Sequence, residues 1–205
     1  MFKVTSFLRQ AVVALALATS SLAALADPVR FHVDVNTTTL TDGGFLDLQF
    51  GALLTAPAAT VTVSNFTGGF GMVDFQSDEG VTFNADGSVT LSNTPALGSL
   101  LSYGVAFGGM LGFDLLFSDD FSADTGTDGS VLTVGLLDAA YGVIGDSYGI
   151  ARFELIPGFG ADASGDARFA AISPVAAAIP EPSDWLLMAT GLLLLGATRR
   201  LSARR

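Results

Sequence analysis

The sequence predicts an all-β protein: an antiparallel β-sandwich, jelly-roll-like, flanked by an N-terminal signal helix and a C-terminal transmembrane helix. Between residues 27 and 157, apolar and polar residues alternate with period two in short runs. Gly, Asp, Asn or Ser separates the runs, and no run has the capped 3.6-residue period of a helix. Each end of the chain instead carries an apolar segment beside basic residues.

The alternating runs predict nine or ten strands. The first is typical: Phe31, Val33 and Val35 alternate with His32 and Asp34, which predicts a strand with one wet face. Regular spacing of 8 to 15 residues between short strands favours a sandwich. A β-solenoid is the competing architecture, but the chain has no fixed internal repeat. The predicted strands are 29–35, 46–50, 61–63, 73–75, 81–83, 89–91, 103–107, 111–117, 131–137 and 148–155.

The strongest hairpin signal joins the strands at 81–83 and 89–91. The connection is Asn84-Ala85-Asp86-Gly87, and an Asp-Gly pair favours the positive φ that tight hairpins need. From Pro157 onward the alternation is lost. We therefore predict a flexible linker over 158–179, with a last strand around 168–172 as the alternative.

The N-terminus has the pattern of a signal peptide. Lys3 and Arg9 precede an apolar stretch at 11–18, and Ala24-Leu25-Ala26 provides a small-x-small cleavage site. Residues 1–26 are therefore predicted to be removed after Ala26. The alternative, an uncleaved anchor, is disfavoured because the apolar core is short.

The C-terminus has three elements in a fixed order. Pro180-Glu181-Pro182 cannot lie inside a helix, Trp185 opens an apolar run that reaches Thr198, and Arg199-Arg200 follow. The run would span only about 21 Å as a helix, against about 30 Å of hydrocarbon, so it is a marginal anchor. The basic end should stay in the cytoplasm, which leaves the body outside the inner membrane. A buried core helix and a permanent anchor are the alternatives.

This tail resembles a PEP-CTERM sorting signal over roughly residues 179 to 205. The resemblance rests on Pro180-Glu181-Pro182, Trp185, the leucine-rich run and the terminal arginines. It implies a Gram-negative bacterium that makes exopolysaccharide, and processing near the tripeptide by a membrane-embedded exosortase. The chain would be a substrate of that enzyme and would reach the cell surface or matrix. The stretches 31–37 and 44–50 also look like the start of a PEP-CTERM group without an established activity.

The exported body is strongly acidic. The chain has 20 acidic residues, of which 18 lie between 27 and 179, and nine basic residues, of which three lie there. The formal charge of this body is therefore near −15. Such a charge keeps a protein soluble and excludes nucleic acid as a partner, because no basic surface can displace counterions. The chain has no cysteine, so its core must suffice without disulfides.

Catalytic and metal signals are sparse, and we predict no enzymatic activity. His32, the only histidine, falls in the polar set of its strand, where a solvated position is expected; a Ser-His-Asp site through distant partners is left open, although no G-x-S-x-G elbow exists. Asp124-Thr125-Gly126 has the same three residues as an aspartic-protease catalytic loop. Those enzymes need two such loops and this chain has no second copy, so a turn is expected. Asp119, Asp120, Asp124 and Asp128 crowd one loop, where weak Ca²⁺ binding is the alternative to solvated carboxylates.

We therefore expect an exported structural or interaction protein of the cell surface or matrix. The alternative is a module that binds exopolysaccharide, for which Tyr103, Tyr141 and Tyr148 are the candidate aromatic residues; an exported hydrolase ranks third. The phenylalanines are expected inside the core, as at Phe31, Phe50, Phe75 and Phe83.

Overall fold

The computed structural model describes residues 29–77, 79–94, 97–118, 121 and 126–175. The chain divides after Val175 into two units, and every described residue belongs to the first, Met1–Val175. Both predicted terminal helices lie outside the described residues. Where the structure describes the chain, no helix is long and apolar enough to cross a membrane. The strands are β1 (Arg30–Asn36), β2 (Gly44–Ala52), β3 (Thr60–Thr67), β4 (Phe70–Gln76), β5 (Val81–Phe83), β6 (Val89–Ser92), β7 (Ser99–Val105), β8 (Met110–Phe117), β9 (Ser130–Asp138), β10 (Ala151–Ile156), β11 (Gly160–Gly165) and β12 (Ala170–Pro174).

These strands form two antiparallel sheets of six strands each. The first sheet has the order β12-β1-β8-β3-β6-β5, and the second has the order β11-β10-β9-β2-β7-β4. The two sheets bury their facing sides in one hydrophobic core, in a sandwich-like arrangement. The prediction of an all-β antiparallel protein is therefore confirmed for the described residues.

The alternating sequence decides which side of each strand is buried. In β1, Phe31, Val33 and Val35 are buried, while His32 and Asp34 point to the outer face. The same pattern holds in β9, where every second residue from Ser130 to Leu136 is buried. Because side chains alternate between the two faces of a strand, period two produces a buried face and an outer face.

The predicted hairpin is confirmed. β5 pairs with β6 so that Phe83 lies opposite Val89. Gly87 adopts a φ of 84°, and the Asn84 N–H donates to the Ser88 carbonyl at 2.9 Å. The Asp-Gly pair thus supplies the left-handed residue that closes the turn.

The linker predicted over 158–179 is wrong for residues 160–165 and 170–174, where β11 and β12 lie; β12 overlaps the alternative strand predicted around 168–172. β11 pairs with β10, and β12 pairs with β1, so these segments form the edges of the two sheets. Ala161 and Ala163 pack against the core, while Asp162 between them is exposed. β11 therefore has the period-two pattern of a strand, but its inward residues are small. An edge strand pairs on one side only, so it needs less apolar surface than a central strand. Residues 176–179 lie outside the described part.

Two predicted strand boundaries also shift. β7 covers Ser99–Val105 instead of 103–107, and β10 begins at Ala151 instead of Tyr148. Gly149, with a φ of 100°, ends the turn before β10. A Cβ atom there would lie 2.7 Å from the Val134 carbonyl oxygen, so the chain can pass this point only as glycine.

Four phenylalanines join the two sheets at the centre of the core. Phe31 and Phe117 come from the first sheet, and Phe50 and Phe153 come from the second. Ring centroids lie 5.1 Å apart for Phe31 and Phe153, 6.0 Å for Phe117 and Phe153, and 6.3 Å for Phe50 and Phe117. These separations are typical of favourable edge and tilted aromatic pairs.

A second aromatic group lies elsewhere between the sheets, formed by Phe66, Phe70, Tyr103 and Phe113. Tyr103 is half-buried, with its ring 5.3 Å from Phe66 and 5.8 Å from Phe70. Two phenylalanines expected in the core are not there. Phe75 and Phe83 are 53% and 48% exposed, because β4 is a bulged edge strand and β5 is a three-residue edge strand.

Asn93 is a buried polar link between three loops. Its side-chain carbonyl accepts from the Ala59 N–H at 2.7 Å, and its amide donates to the Pro57 carbonyl and to the Ser130 hydroxyl. Buried polar groups are stable only when they are bonded in this way. Asn93 therefore fastens the chain around the start of β3 to the start of β9.

We expect Phe117→Ala to lower the free energy of unfolding by about 3–5 kcal/mol, because it empties the centre of the cross-sheet phenylalanine group. Phe83→Ala removes the same atoms from a half-exposed position and should cost less than about 1 kcal/mol. Denaturant unfolding of the full-length protein measures both values. Equal losses would contradict the placement of these two rings.

Candidate functional site

His32 lies on the outer face of the first sheet between two carboxylates. Its Nδ1 is 2.6 Å from Asp114 Oδ1, and its Nε2 is 3.3 Å from Asp34 Oδ1. Antiparallel pairing of β1 with β8 brings this about, because His32 and Asp114 are direct partners in the register. The predicted outward position of His32 is confirmed, but the side chain is held by partners and is not simply solvated.

A β-bulge in β3 completes this cluster. The register with β8 shifts between Ser64 and Thr67, and Asn65 adopts a left-handed φ of 55°. The bulge directs the Asn65 amide to Asp114 Oδ2, to which it donates at 2.7 Å. Bulges commonly re-aim a side chain in this manner.

The His32 cluster is built to hold an imidazolium ion. The hydrogen bond to Asp114 is the main cause that raises the pKa of His32, and the nearby Asp34 raises it further. Burial alone would raise the pKa of Asp114, but hydrogen bonds from Asn65 and His32 outweigh it and bring that pKa below its usual value. Because both ring nitrogens face carboxylates, neither is available to activate a serine. The geometry therefore does not assemble a Ser-His-Asp site at His32.

The outer face of the second sheet carries a different group of side chains, centred on Tyr141. The Tyr141 ring lies on the Phe45 ring with centroids 4.5 Å apart and planes 3° from parallel. Its hydroxyl donates to Asp74 Oδ2 at 3.2 Å. Tyr141 nevertheless remains 59% exposed.

The turn that carries Tyr141 is tightly built. Tyr141 has a φ of 62°, and its N–H donates to the Asp138 carbonyl at 2.9 Å. The Asp138 carboxylate accepts from the Ala140 N–H at 2.8 Å and from the Gly142 N–H at 2.7 Å. These bonds hold the turn in one conformation, so the ring is presented by a fixed support.

Polar groups flank this aromatic pair on the neighbouring strands. Asp47, two residues after Phe45 on β2, accepts from the buried Ser102 hydroxyl at 2.5 Å. Burial is the main cause that raises the pKa of Asp47; the Ser102 bond lowers it, and the charge of Asp74 raises it again. Opposite Phe45 and Asp47 stand Gly104 and Gly135, which carry no side chain. The face is therefore shallow around these two residues.

A cleft of about 550 Å³ lies further along the same face. Gln49, Thr133, Arg152 and Glu154 contribute its polar groups, and Val131 and Ile156 contribute apolar ones. Arg152 Nε and Glu154 Oε1 are 2.6 Å apart, so the cation in the cleft is already paired. The volume is within the range of small-ligand sites.

The three candidate tyrosines have separate environments. Tyr103 belongs to the core aromatic group, where burial raises the pKa of its hydroxyl, so it offers no free platform. Tyr148 is 74% exposed in the turn before β10 and borders a second cleft with Arg168 and Asp166. Only Tyr141 combines an exposed ring with a stacked aromatic neighbour among the described tyrosines. No sequence pattern links it to Phe45, 96 positions away, so this pairing was missed.

Most of the other predicted site residues cannot be placed. Ala24, Ala26, Pro180, Glu181, Pro182, Trp185, Arg199 and Arg200 lie outside the described residues, as do Asp119, Asp120 and Asp124. Asp128 is described, and its carboxylate accepts hydrogen bonds from the Thr55 hydroxyl and N–H. Over the described ranges, no three His, Asp or Glu side chains are grouped to hold a metal ion. Calcium binding by the predicted loop stays a prediction.

Two carboxyl groups buried in one pocket would be the mark of an exported hydrolase. The charge of Asp74 contributes to the raised pKa of Asp47, but Asp47 is only half-buried and Asp74 is exposed. Neither lines the described clefts, and Glu154, which does, is paired with Arg152. Among the described residues, the two clefts therefore do not bring two buried carboxyl groups together.

Comparison of the chain with protein-family models, with curated proteins and with solved structures gave no significant match.

The His32 cluster makes a pH-dependent contribution to stability. The pKa of His32 in the folded protein, measured by NMR titration, should lie above 6.5. Asp114→Asn should lower this pKa because it removes the main partner of the imidazole. A raised folded pKa stabilises the protein below the unfolded pKa and loses that effect as pH rises through the folded value. The free energy of unfolding should therefore fall above about pH 6.5 in the native protein, more than in His32→Gln.

Asp42→Asn serves as the control for this titration, because Asp42 is an exposed carboxylate that bonds to Thr41 and not to His32. It should leave the His32 pKa unchanged. A pKa for His32 at or below 6.5 in the native protein would contradict the stabilisation of the imidazolium by Asp34 and Asp114.

Proposed function

We propose that this chain is an exported protein of the cell surface or extracellular matrix, sorted by an exosortase in a Gram-negative bacterium. The order of the C-terminal elements carries the proposal: Pro180-Glu181-Pro182, then Trp185 and the apolar run, then Arg199-Arg200. The signal-peptide pattern ending at Ala26 supports export. The tail would hold the precursor at the inner membrane until it is cut near the tripeptide.

We also propose that the body is a jelly roll. The order β1-β8-β3-β6 in one sheet and β2-β7-β4 in the other supports this, because it places strand pairs 1–8, 2–7 and 3–6 side by side. This is the nested pairing of two Greek keys. β9 to β12 then extend the sheets beyond the eight-stranded pattern, and β5 joins the first sheet.

The body would act by binding or by forming part of a matrix, without catalysis. Its acidic excess keeps it soluble after release and disfavours polyanionic partners. The larger described cleft has its cation already paired with Glu154, and the only histidine is held between carboxylates. Both features suit a non-enzymatic surface protein.

Polysaccharide binding is the second candidate, and one observation favours it. The exposed, stacked Tyr141 ring beside Asp74 and Asp47 is the kind of amphipathic platform that sugars contact. A hydrolase is the third candidate; the raised pKa of Asp47, caused mainly by burial, is the feature that speaks for it.

Replacement of Pro180, Glu181 and Pro182 by alanine should abolish processing. The expected product keeps its C-terminus to Arg205 and remains in the membrane fraction, because the recognition element is gone while the apolar run persists. Intact mass measurement of the protein from producing cells reads both ends directly. Ser183→Ala, immediately beyond the tripeptide, is the matched control and should be processed normally.

Two results would refute the sorting role. One is unchanged processing of the triple-alanine variant. The other is detection of peptides that reach Arg205 in the extracellular pool of the native protein.

A further inference from the structure

We propose that the outer face of the second sheet around Tyr141 binds a polysaccharide of uncharged sugars. We call this the Tyr141 face, and it consists of Tyr141, Phe45, Asp74, Asp47 and Ser102. The inference rests on the proposed function in one respect, namely that the exported protein meets polysaccharide. The site itself is argued from the geometry of the body.

The Tyr141 ring offers one open aromatic side. Phe45 covers its other side at 4.5 Å, and more than half of the residue is exposed. The face of an aromatic ring is electron-rich, so it attracts the weakly positive C–H groups on one side of a sugar ring. A tyrosine also brings a large contact area at a low cost in conformational entropy.

The ring is pre-organised for such contact. Four hydrogen bonds within the turn 138–142 fix its backbone, the Asp74 carboxylate accepts from its hydroxyl, and Phe45 supports it from behind. Because little freedom remains to be lost, binding does not have to order this group. Tyr148, by contrast, is exposed without a stacked partner in the described part of the chain.

Hydrogen-bonding groups stand where the hydroxyls of a stacked sugar would be. Asp74 and Asp47 flank the aromatic pair on β4 and β2, and each carboxylate retains an oxygen beyond the one bonded to Tyr141 or Ser102. Gly104 and Gly135 leave the backbone uncovered beside Phe45 and Asp47, which gives a chain of sugars room to lie against the sheet.

The site has a natural extension along β2. Gln49 lies four residues from Phe45 on the same outer face, about 13 Å away at the rise of a strand, and lines the cleft with Thr133. A polymer running parallel to β2 would therefore contact the aromatic pair and the polar cleft together. A single small sugar would reach only one of them.

Charge decides which polysaccharide fits. The Tyr141 face carries Asp47 and Asp74, and of the three body arginines Arg152 and Arg168 are already bonded to Glu154 and Asp166. With a formal charge near −15 on the whole body, chains of uronic acids or sulfated sugars would be repelled. Uncharged sugars meet no such repulsion, and their hydroxyls can donate to both carboxylates.

The test measures binding of soluble uncharged polysaccharides, namely a glucan, a mannan and a galactan, to the full-length protein. Calorimetry is performed in a detergent without sugar head groups, with alginate as the anionic comparison and chitosan as the cationic one. We expect at least one uncharged polymer to bind and alginate not to bind. Binding to the uncharged polymer should persist at high salt, because it does not depend on long-range charge.

A set of matched variants locates the site. Tyr141→Ala should weaken binding about three- to tenfold, the loss expected for one aromatic contact. Tyr141→Phe keeps the ring and should retain most of the affinity. Tyr148→Ala removes a tyrosine that is still more exposed and lies outside the Tyr141 face, and it should change nothing. Thermal melting verifies that each variant is folded, and Asp74→Asn replaces Tyr141→Ala if the latter does not fold.

Three outcomes would overturn the proposal: no uncharged polymer binds, Tyr141→Ala and Tyr148→Ala weaken binding equally, or only chitosan binds and Tyr141→Ala does not affect it. The last result would indicate attraction by net charge alone. Release of reducing ends from a bound polymer, lost in Asp47→Asn, would replace the binding role with the hydrolase. None of these outcomes alters the processing of the tail, so failure of this site and failure of the sorting proposal can be told apart.

Discussion

The packing of four phenylalanines between the two sheets is the constraint on which the rest of the structure depends. Phe31 and Phe117 meet Phe50 and Phe153 across the core. Because side chains alternate strictly along a strand, burying these rings sets the register of β1, β2, β8 and β10. A slip of one residue in any of them would turn its apolar set outward. With no cysteine in the chain, this packing has no covalent support.

The same alternation produces the outer faces of both sheets. When Phe31 and Val33 turn inward, His32 turns outward toward Asp114; when Leu46 turns inward, Phe45 and Asp47 turn outward beside Tyr141. The start of β1 and the residue after β12 lie next to each other, since the Val175 N–H donates to the Arg30 carbonyl. Tyr141 follows the opposite end of the strand pairs, where β2 begins and β9 ends.

Sequence and structure agree best where the apolar pattern is strong. The central strands β1, β2, β8 and β9 could be predicted because large aliphatic and aromatic side chains alternate there, and the hairpin at 84–87 could be predicted from its Asp-Gly pair. β11 was missed because its alternating inward residues are the alanines Ala161 and Ala163, whose apolar signal is weak although the period is the same. β12 was anticipated only as the alternative strand around 168–172, because its alternating pattern is short. Phe75 and Phe83 were misplaced because they lie on edge strands, where position in the sheet and not the pattern decides burial.

The sequence alone determined the all-β class, the acidic body, and the two terminal segments that predict export and sorting, since these properties depend on composition, period and local order. Only the tertiary structure decided which distant residues meet. It placed Tyr141 on Phe45, Asn65 on Asp114 through a bulge, and Asn93 against Ser130. The physical reason is that such contacts depend on sheet order and register, and these are set by the packing of the whole core, not by neighbours along the chain.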